Sequence, residues 1–317
     1  MSCRGYSLPL QRAITDFGAD NGFGRIPEKL GEHYGITVPV SPARIITENH
    51  AREISENEEC DTDISGKSGV ERLIAETDGS MVPIVKTDDE AEDKRKTRKV
   101  SRKEARLSLS YADGSVTPGF GAVMGKPDDA GKQLFMSSVR AGLGENTEVH
   151  CVGDGAPRIA EQVSTIFGLN GTYLIDFYHL CDYISAAGNV CAPGNKVSWM
   201  EYQKECLKNN RIEEVLGTLR PYPEPEKISD SDAPVRACCR YITNRPGQSD
   251  YKNALAKGLP IGSGQIGSAH RYVIQERLKI PGAWWKEEHA QEMPALRVLR
   301  ADKDWDKYRN DFSQKAA

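Results

Sequence analysis

The sequence predicts an α/β fold: a mixed-sheet core with an all-helical insertion, preceded by a small helical segment. Three observations predict it. Strand-like runs (RLIAETD, SMVPIVK and RLSLSYAD) gather between residues 71 and 113. Helical and strand patterns then alternate through DAGKQLFMSSVRAGL, EVHCVGD, APRIAEQVSTIFG and TYLIDFYHL. From 182 to 257 the chain reads as helix broken by proline-rich stretches such as PYPEPE. Early strands followed by alternation lay down a sheet with helices packed on it.

Residues 9–55 predict three short helices. PLQRAITDFGA comes first, then RIPEKLGEHYG with Gly35 as C-cap. The third, PARIITENHAREI, has Ser41 as N-cap and Pro42 at its first position. Helix, short turn, helix is the plan of a helix-turn-helix DNA reader. Its third helix would present Ser41, Arg44 and Thr47, with Arg44 the candidate nucleic-acid contact. Acids and bases are near balance here, so an ordinary trihelical packing unit is the competing reading. Polar residues 56–70 predict a linker, 71–181 the first part of the core, 182–257 the insertion, and 258–317 the last core helices. Within the core, DDEAED (88–93) precedes KRKTRKVSRKEAR (94–106), which holds eight bases and one acid. A solvated connector and a phosphate-backbone contact both fit such a run.

Bulk properties narrow the class. The chain has 317 residues, 38% of them hydrophobic, and a net charge of −4, which argues mildly against a dedicated nucleic-acid binder. No apolar run is long enough to cross a bilayer. The opening MSCRGYSLPLQRAI lacks the apolar centre of a signal peptide, so a cytoplasmic protein is expected, with no membrane partner. None of the eight cysteines has C-x2-C spacing, so reduced thiols are expected rather than a local zinc motif.

Two aspartates stand where strands are expected to end: Asp78 in AETDGSMVP and Asp154 in CVGDGAP. Carboxylates at strand ends can hold hard divalent cations, although Asp-Gly is also a common turn dipeptide. The same motifs resemble those of haloacid-dehalogenase-like phosphatases. That chemistry needs an aspartate nucleophile two residues before Asp78, where Glu76 stands. It also needs an acid soon after the second motif, where Pro157 and Arg158 stand.

A third element is LIDFYHL, which holds Asp176 and His179 in a D-x2-H arrangement. With VGDGAP, GLPIGSGQIGSAHRYVIQERLKIPGAWW and LRVLRADKDWDKY, it resembles the transposases of the ISKra group of bacterial insertion sequences. More distantly the chain resembles Mutator-like transposases. The resemblance runs from LQRAITDFGAD to near the C-terminus. It implies a ribonuclease-H-like core with an Asp-Asp-Glu triad, two Mg²⁺ (or Mn²⁺) ions, and DNA strand cleavage and transfer at element ends. It also implies DNA partners, the terminal repeats and the target, and homo-oligomeric assembly on them. Carried over, Asp78 and Asp154 are the catalytic, metal-binding acids. The third belongs in a pattern G-S-G-x-I-E-S-A-H-R, and here that position is Gly267.

Neither neighbour replaces the missing carboxylate. Gln265 is neutral, and Glu276, nine residues on, lies about 900° around an ideal α-helix and so on its opposite side. The resemblance implies further roles: His270 and Arg271 on phosphates near the scissile bond, and His179 beside Asp176 orienting metal or DNA. Trp284 and Trp285 are read either as base-stacking residues or as core. Arg102 and Arg158 stand where tryptophan is expected, and Pro294 where leucine would continue a helix. Each of these, with Gly267, is one base transition from the expected residue, so a decaying, N-terminally truncated copy with weak or absent catalysis is expected. A non-catalytic DNA-binding relic or repressor is the alternative.

Overall fold

The computed structural model describes residues 5–58, 62–88, 90–93 and 96–316. It is an α/β protein with a five-stranded mixed sheet of order β3-β2-β1-β4-β5. The strands are β1 (Arg72–Lys86), β2 (Lys99–Ala112), β3 (Gly119–Val123), β4 (Glu148–Gly153) and β5 (Gly171–Ile175). β4 runs parallel to both β1 and β5, whereas β2 and β3 are antiparallel. The chain divides into two compact units. One holds residues 1–70, 78–145 and 265–317, the other residues 71–77 and 146–264.

The first unit opens with α1 (Leu8–Asp20), α2 (Ile26–Tyr34) and α3 (Val40–Glu56). Ile14, Ile26, Leu30, Val38, Ala43 and Ile46 form their shared core. Gly35 ends α2 in the left-handed region at φ 67°, where its N–H reaches back to the Leu30 and Gly31 carbonyls. The third helix starts earlier than the Ser-Pro signal predicts. Pro39, not Ser41, is its N-cap, because Pro42 fits anywhere in a first turn, whose N–H groups have no helical partner. Thr47 is buried and donates to the Ala43 carbonyl at 2.9 Å. Ser41 and Arg44 stay exposed, and Arg44 lies 3.9 Å from Glu48.

Two expected strands, RLIAETD and SMVPIVK, form the single strand β1. Asp78-Gly79 does not turn: β1 runs unbroken through it, with β2 as its sheet neighbour on one side, while the β4 pairing on the other ends at Thr77. The basic run is strand rather than connector from Lys99 onward, with residues 99–104 exposed; Lys94 and Arg95 lie outside the described residues. The expected linker is tied down where it is described, with Val70 N–H donating to the Gly142 carbonyl at 2.9 Å.

α4 (Pro127–Arg140) covers β2 and β3. The unit closes with α11 (Gly264–Ala269, from its second residue), a π-helical segment His270–Gln275, α12 (Glu276–Leu278), α13 (Glu287–Ala301) and α14 (Trp305–Ala316). α13 packs on α3 and β3 and runs unbroken through Pro294, where an interruption is expected.

Two buried arginines bind these pieces. Arg277 Nε donates to the Gly18 carbonyl at 2.8 Å, and its guanidinium lies 4.4 Å over Phe23 and 4.6 Å over Trp285. Arg297 donates to the Val273 carbonyl at 3.1 Å and the Ala19 carbonyl at 3.0 Å, and also to the Tyr272 carbonyl and Asp20.

The second unit stacks α5 (Pro157–Phe167) on β5, then builds α6 (Phe177–Cys191), α7 (Lys196–Lys208), α8 (Ile212–Leu219), α9 (Pro234–Thr243) and α10 (Tyr251–Ala256). α6 packs on α7 and α9. Six free cysteines are described, five of them buried; Cys3 and Cys60 lie outside the described residues. Among the described residues no helix is long and apolar enough to cross a membrane.

Arg297→Ala leaves the Ala19, Tyr272 and Val273 carbonyls without this donor, while Arg300 still reaches Asp20, and each buried acceptor left unsatisfied costs about 1–3 kcal/mol. An unfolding free energy from urea titration lowered by at least one such increment is the expected result.

Asp302, just beyond α13, is buried and accepts from Phe120 N–H at 2.9 Å, with Arg140 at 3.5 Å. Burial pushes its carboxyl up to about 7, against the pull of Arg140 and Phe120. The folded state therefore favours the protonated form. The stabilisation is complete below the unfolded value of about 3.9 and is lost as pH rises to about 7. In urea unfolding at stepped pH, the parent chain should lose stability across that window relative to Asp302→Asn, by up to about 1.4 kcal/mol per pH unit.

Candidate functional site

In the first unit Asp78 sits in mid-strand on β1, half-buried. Its Oδ1 accepts from its neighbour Gly79 N–H at 2.7 Å, and Oδ2 has no described hydrogen bond. Its main-chain carbonyl accepts from His270 Nε2 at 2.9 Å. His270 is 1% exposed, so the histidine expected on the surface, near a phosphate, is inside the unit. Burial lowers its pKa from the ordinary value. The imidazole is therefore neutral at pH 7, with Nε2 carrying the proton and Nδ1 unpartnered among the described residues.

Gly267 lies three residues before His270, one turn earlier on the same helical segment, and is exposed. A Cβ added there meets nothing within 4 Å. Arg271 is exposed and 3.9 Å from Glu276. The opposite-face argument for Glu276 assumed an ideal α-helix. The six-residue π segment between the two positions changes that angle, and the Glu276 carboxylate lies toward Arg271. Glu104 on β2 is an acid the sequence reading missed. A Cβ on Gly79 would overlap its carboxylate, which places it beside Asp78, and Arg106 pairs with it at 2.7 Å.

In the second unit the β1–β4 register ends at Thr77↔Gly153, and Asp154 follows directly. Its Oδ1 accepts from Ala156 N–H at 2.8 Å, and Oδ2 has no described hydrogen bond. Its carbonyl accepts from Tyr241 Oη at 2.7 Å. Gly155 has φ 79°, the left-handed region that favours glycine. Its carbonyl accepts from Arg245 Nε at 2.6 Å, and its N–H donates to Tyr173 Oη at 3.0 Å. Arg158 is exposed at the start of α5.

Asp176 is fully engaged. Its Oδ1 caps α6, accepting from Tyr178 and His179 N–H at 2.6 and 3.0 Å. Its Oδ2 accepts from Ser263 N–H and Oγ at 2.7 and 2.5 Å. It therefore fastens the Gly-Ser-Gly loop to α6 and has no oxygen left for a metal. His179 is exposed, its ring edge-on to Tyr183 and Tyr241. Trp285 is core, whereas Trp284 is half-exposed under the Arg98 guanidinium at 3.8 Å.

Among the described residues no three His, Cys, Asp or Glu side chains are grouped to hold a metal ion. Asp78 and Asp154 each offer a hard oxygen suited to a divalent cation. The resemblance expects a third donor at position 267, where the sequence has glycine, and no catalytic step through a metal is derived.

No family profile matches the chain, and no curated protein does. Among solved structures, the Drosophila P element transposase strand transfer complex aligns over 97% of this chain and 81% of its own. The TM-score is 0.33 at 9% identity, and a likeness of that order carries no argument about activity or partner.

Because Gly267 is helical, exposed and unobstructed, Gly267→Ala is expected to stabilise the protein by about 0.5–1 kcal/mol. Chemical denaturation checks this. A loss of stability would show that the position is packed.

Proposed function

We propose that this chain is a transposase-derived protein with a ribonuclease-H-like core, descended from an enzyme that cut and joined DNA at the ends of an insertion sequence. In this copy catalysis is weak or absent. The carrying observation is the register: Thr77 pairs with Gly153, Asp78 is the next residue of β1, and Asp154 directly follows the end of β4. The resemblance of the quoted motifs to ISKra-group transposases supplies the chemistry, phosphoryl transfer on DNA. A divalent cation such as Mg²⁺ or Mn²⁺ would steady the attacking and leaving oxygens. Asp78 and Asp154 would be its ligands, and the third ligand is absent at Gly267. The domain plan of an N-terminal DNA-reading segment and a split core, and assembly of several copies on DNA, belong to the same proposal.

The phosphatase reading is not retained. It needs a reactive acid at position 76, and Glu76 is buried in β1 opposite Val152. The DNA-binding relic or repressor is the second reading, favoured by the vacant, exposed position 267.

The test compares the parent chain with Gly267→Glu on DNA carrying the element ends, with Mg²⁺ or Mn²⁺. Cleavage is expected from the variant alone, by at least 100-fold over the parent, since small misplacements at a reacting centre cost that much. Cleavage by both chains would place the third acid elsewhere, with Glu104 first in line. A specific mobility shift without cleavage by either chain would support the relic.

A further inference from the structure

We infer that the first unit carries a further binding site, a pocket between the start of α1 and α14 that takes a small aromatic carboxylate. It shares no residue with the candidate acids and does not rest on the DNA chemistry proposed above.

The pocket holds about 280 Å³, and its lining includes Leu8 and Arg12 of α1, His50 of α3, and Trp305, Tyr308 and Phe312 of α14. That is just under the roughly 300–1,000 Å³ of a site for a drug-sized molecule, so the occupant is a small one. Its walls are largely aromatic. Trp305 and Tyr308 stack with centroids 5.5 Å apart at 25°, and the Phe312 ring lies 4.8 Å from that of His50. Burial pulls His50 down to about 4, so its imidazole is neutral at pH 7, with Nδ1 hydrogen-bonded to Tyr308 Oη at 2.7 Å. A flat apolar body finds offset and edge-on partners among such rings.

The polar groups fix the sign of the ligand's charge. None of the described lining residues is Asp or Glu, whereas two are arginines, Arg12 and Arg309. Both are partly exposed and reach the same carboxylate, that of Asp306, at 3.5 and 3.0 Å. Guanidiniums from α1 and α14 thus already converge on one anion. Asp306 is itself 78% exposed, and exposed ion pairs contribute little to folding, so an incoming carboxylate can take its place. Arg12 also pairs with Asp16, on its own helix, at 3.6 Å, which holds it in position. A second sign is an orphan donor. Trp305 Nε1 is buried without a hydrogen-bond partner among the described residues, whereas Trp285 Nε1 donates to the Leu278 carbonyl. Buried polar groups without a partner are rare and costly, and an oxygen acceptor in this pocket would satisfy it. Guanidinium forks match a planar carboxylate, and the rings select an aromatic body to carry it.

The experiment uses the full chain, isotope-labelled for NMR, and the probe is phenylacetate. The Trp305 indole N–H signal, assigned by its loss in Trp305→Phe, is followed through the titration. Phenylacetamide, of the same shape without the charge, is the comparison on the parent chain. Arg12→Met and Arg309→Met each keep much of the stem and remove one guanidinium, and Asp306→Asn removes the carboxylate the two now share. Thermal melting of each variant checks the fold.

The expected result is a saturable shift of the Trp305 signal with phenylacetate, weakened about tenfold in each arginine variant and tightened about threefold in Asp306→Asn. Phenylacetamide is expected to bind about tenfold more weakly than phenylacetate. A Trp305 signal that stays in place through millimolar phenylacetate overturns the site. Equal affinity for phenylacetamide would leave an apolar pocket with no preference for charge, and this too overturns it. So does binding that the arginine variants, melting like the parent, leave unchanged, or that Asp306→Asn fails to tighten. If an arginine variant melts early, the two probes compared on the parent chain decide the matter.

Discussion

Burying a guanidinium is costly unless its charge is met by acceptors or by aromatic faces, and the first unit does this twice, Arg297 with acceptors and Arg277 with one carbonyl and two rings. The last turn of any α-helix leaves carbonyls without a partner. At the end of α1 those of Gly18 and Ala19 are taken by Arg277 and Arg297, where the negative end of the helix dipole also favours a cation. Burial pulls Arg277 down to about 9, which still leaves it charged at pH 7. Its buried Nη2 has no hydrogen-bond partner among the described residues, and the guanidinium rests instead over Phe23 and Trp285, whose faces attract a cation.

The same arginines account for the irregular helix. In a π segment the bonding register shifts from i−4 to i−5, which alters which carbonyls are available. Here the Tyr272 and Val273 carbonyls turn to Arg297. His270 is the first residue of that segment and its imidazole holds the Asp78 carbonyl. A chain of contacts therefore leads from α1 through Arg297 and the π turn to the strand that carries the first candidate acid. The carbonyls of Gly18 and Asp78 are held by residues 259 and 192 positions later in the chain.

What the sequence made legible follows the range of the interactions involved. Local signals read correctly: Gly35 as a left-handed cap, the alternation through β4, α5, β5 and α6, and the helices beyond 182 all rest on residues a few positions apart. Where a distant partner decided, local signals misled. Asp78-Gly79 reads as a turn and is strand, because β1 continues through it beside β2. His270 and Thr47 read as surface residues and are buried by helices far away in sequence. Tyr241 and Arg245, which donate to the carbonyls of 154 and 155, lie 87 and 90 positions from their acceptors, with no motif of their own. Ser263 likewise gave no sign that it would secure Asp176. Glu104 was hidden in a run read only for its bases.

This separation of local from distant constraint bears on how such a chain could outlive its chemistry. At Gly155 and Asp176, replacement disturbs a backbone conformation or four hydrogen bonds, so folding itself guards those positions. Position 267 is different. It is exposed, on a helix, with nothing within 4 Å of a Cβ, and losing a carboxylate there removes no packing and leaves no buried partner unsatisfied. The cost of glycine in that helix, about 1 kcal/mol, is small beside the roughly 5–15 kcal/mol that holds a domain together. Stability therefore does not resist the loss of an acid at that position, and only the reaction would. On the proposed reading, such a fold can lose an acid at position 267 and remain folded, with Asp78 and Asp154 held by contacts that serve the structure whether or not any DNA is cut.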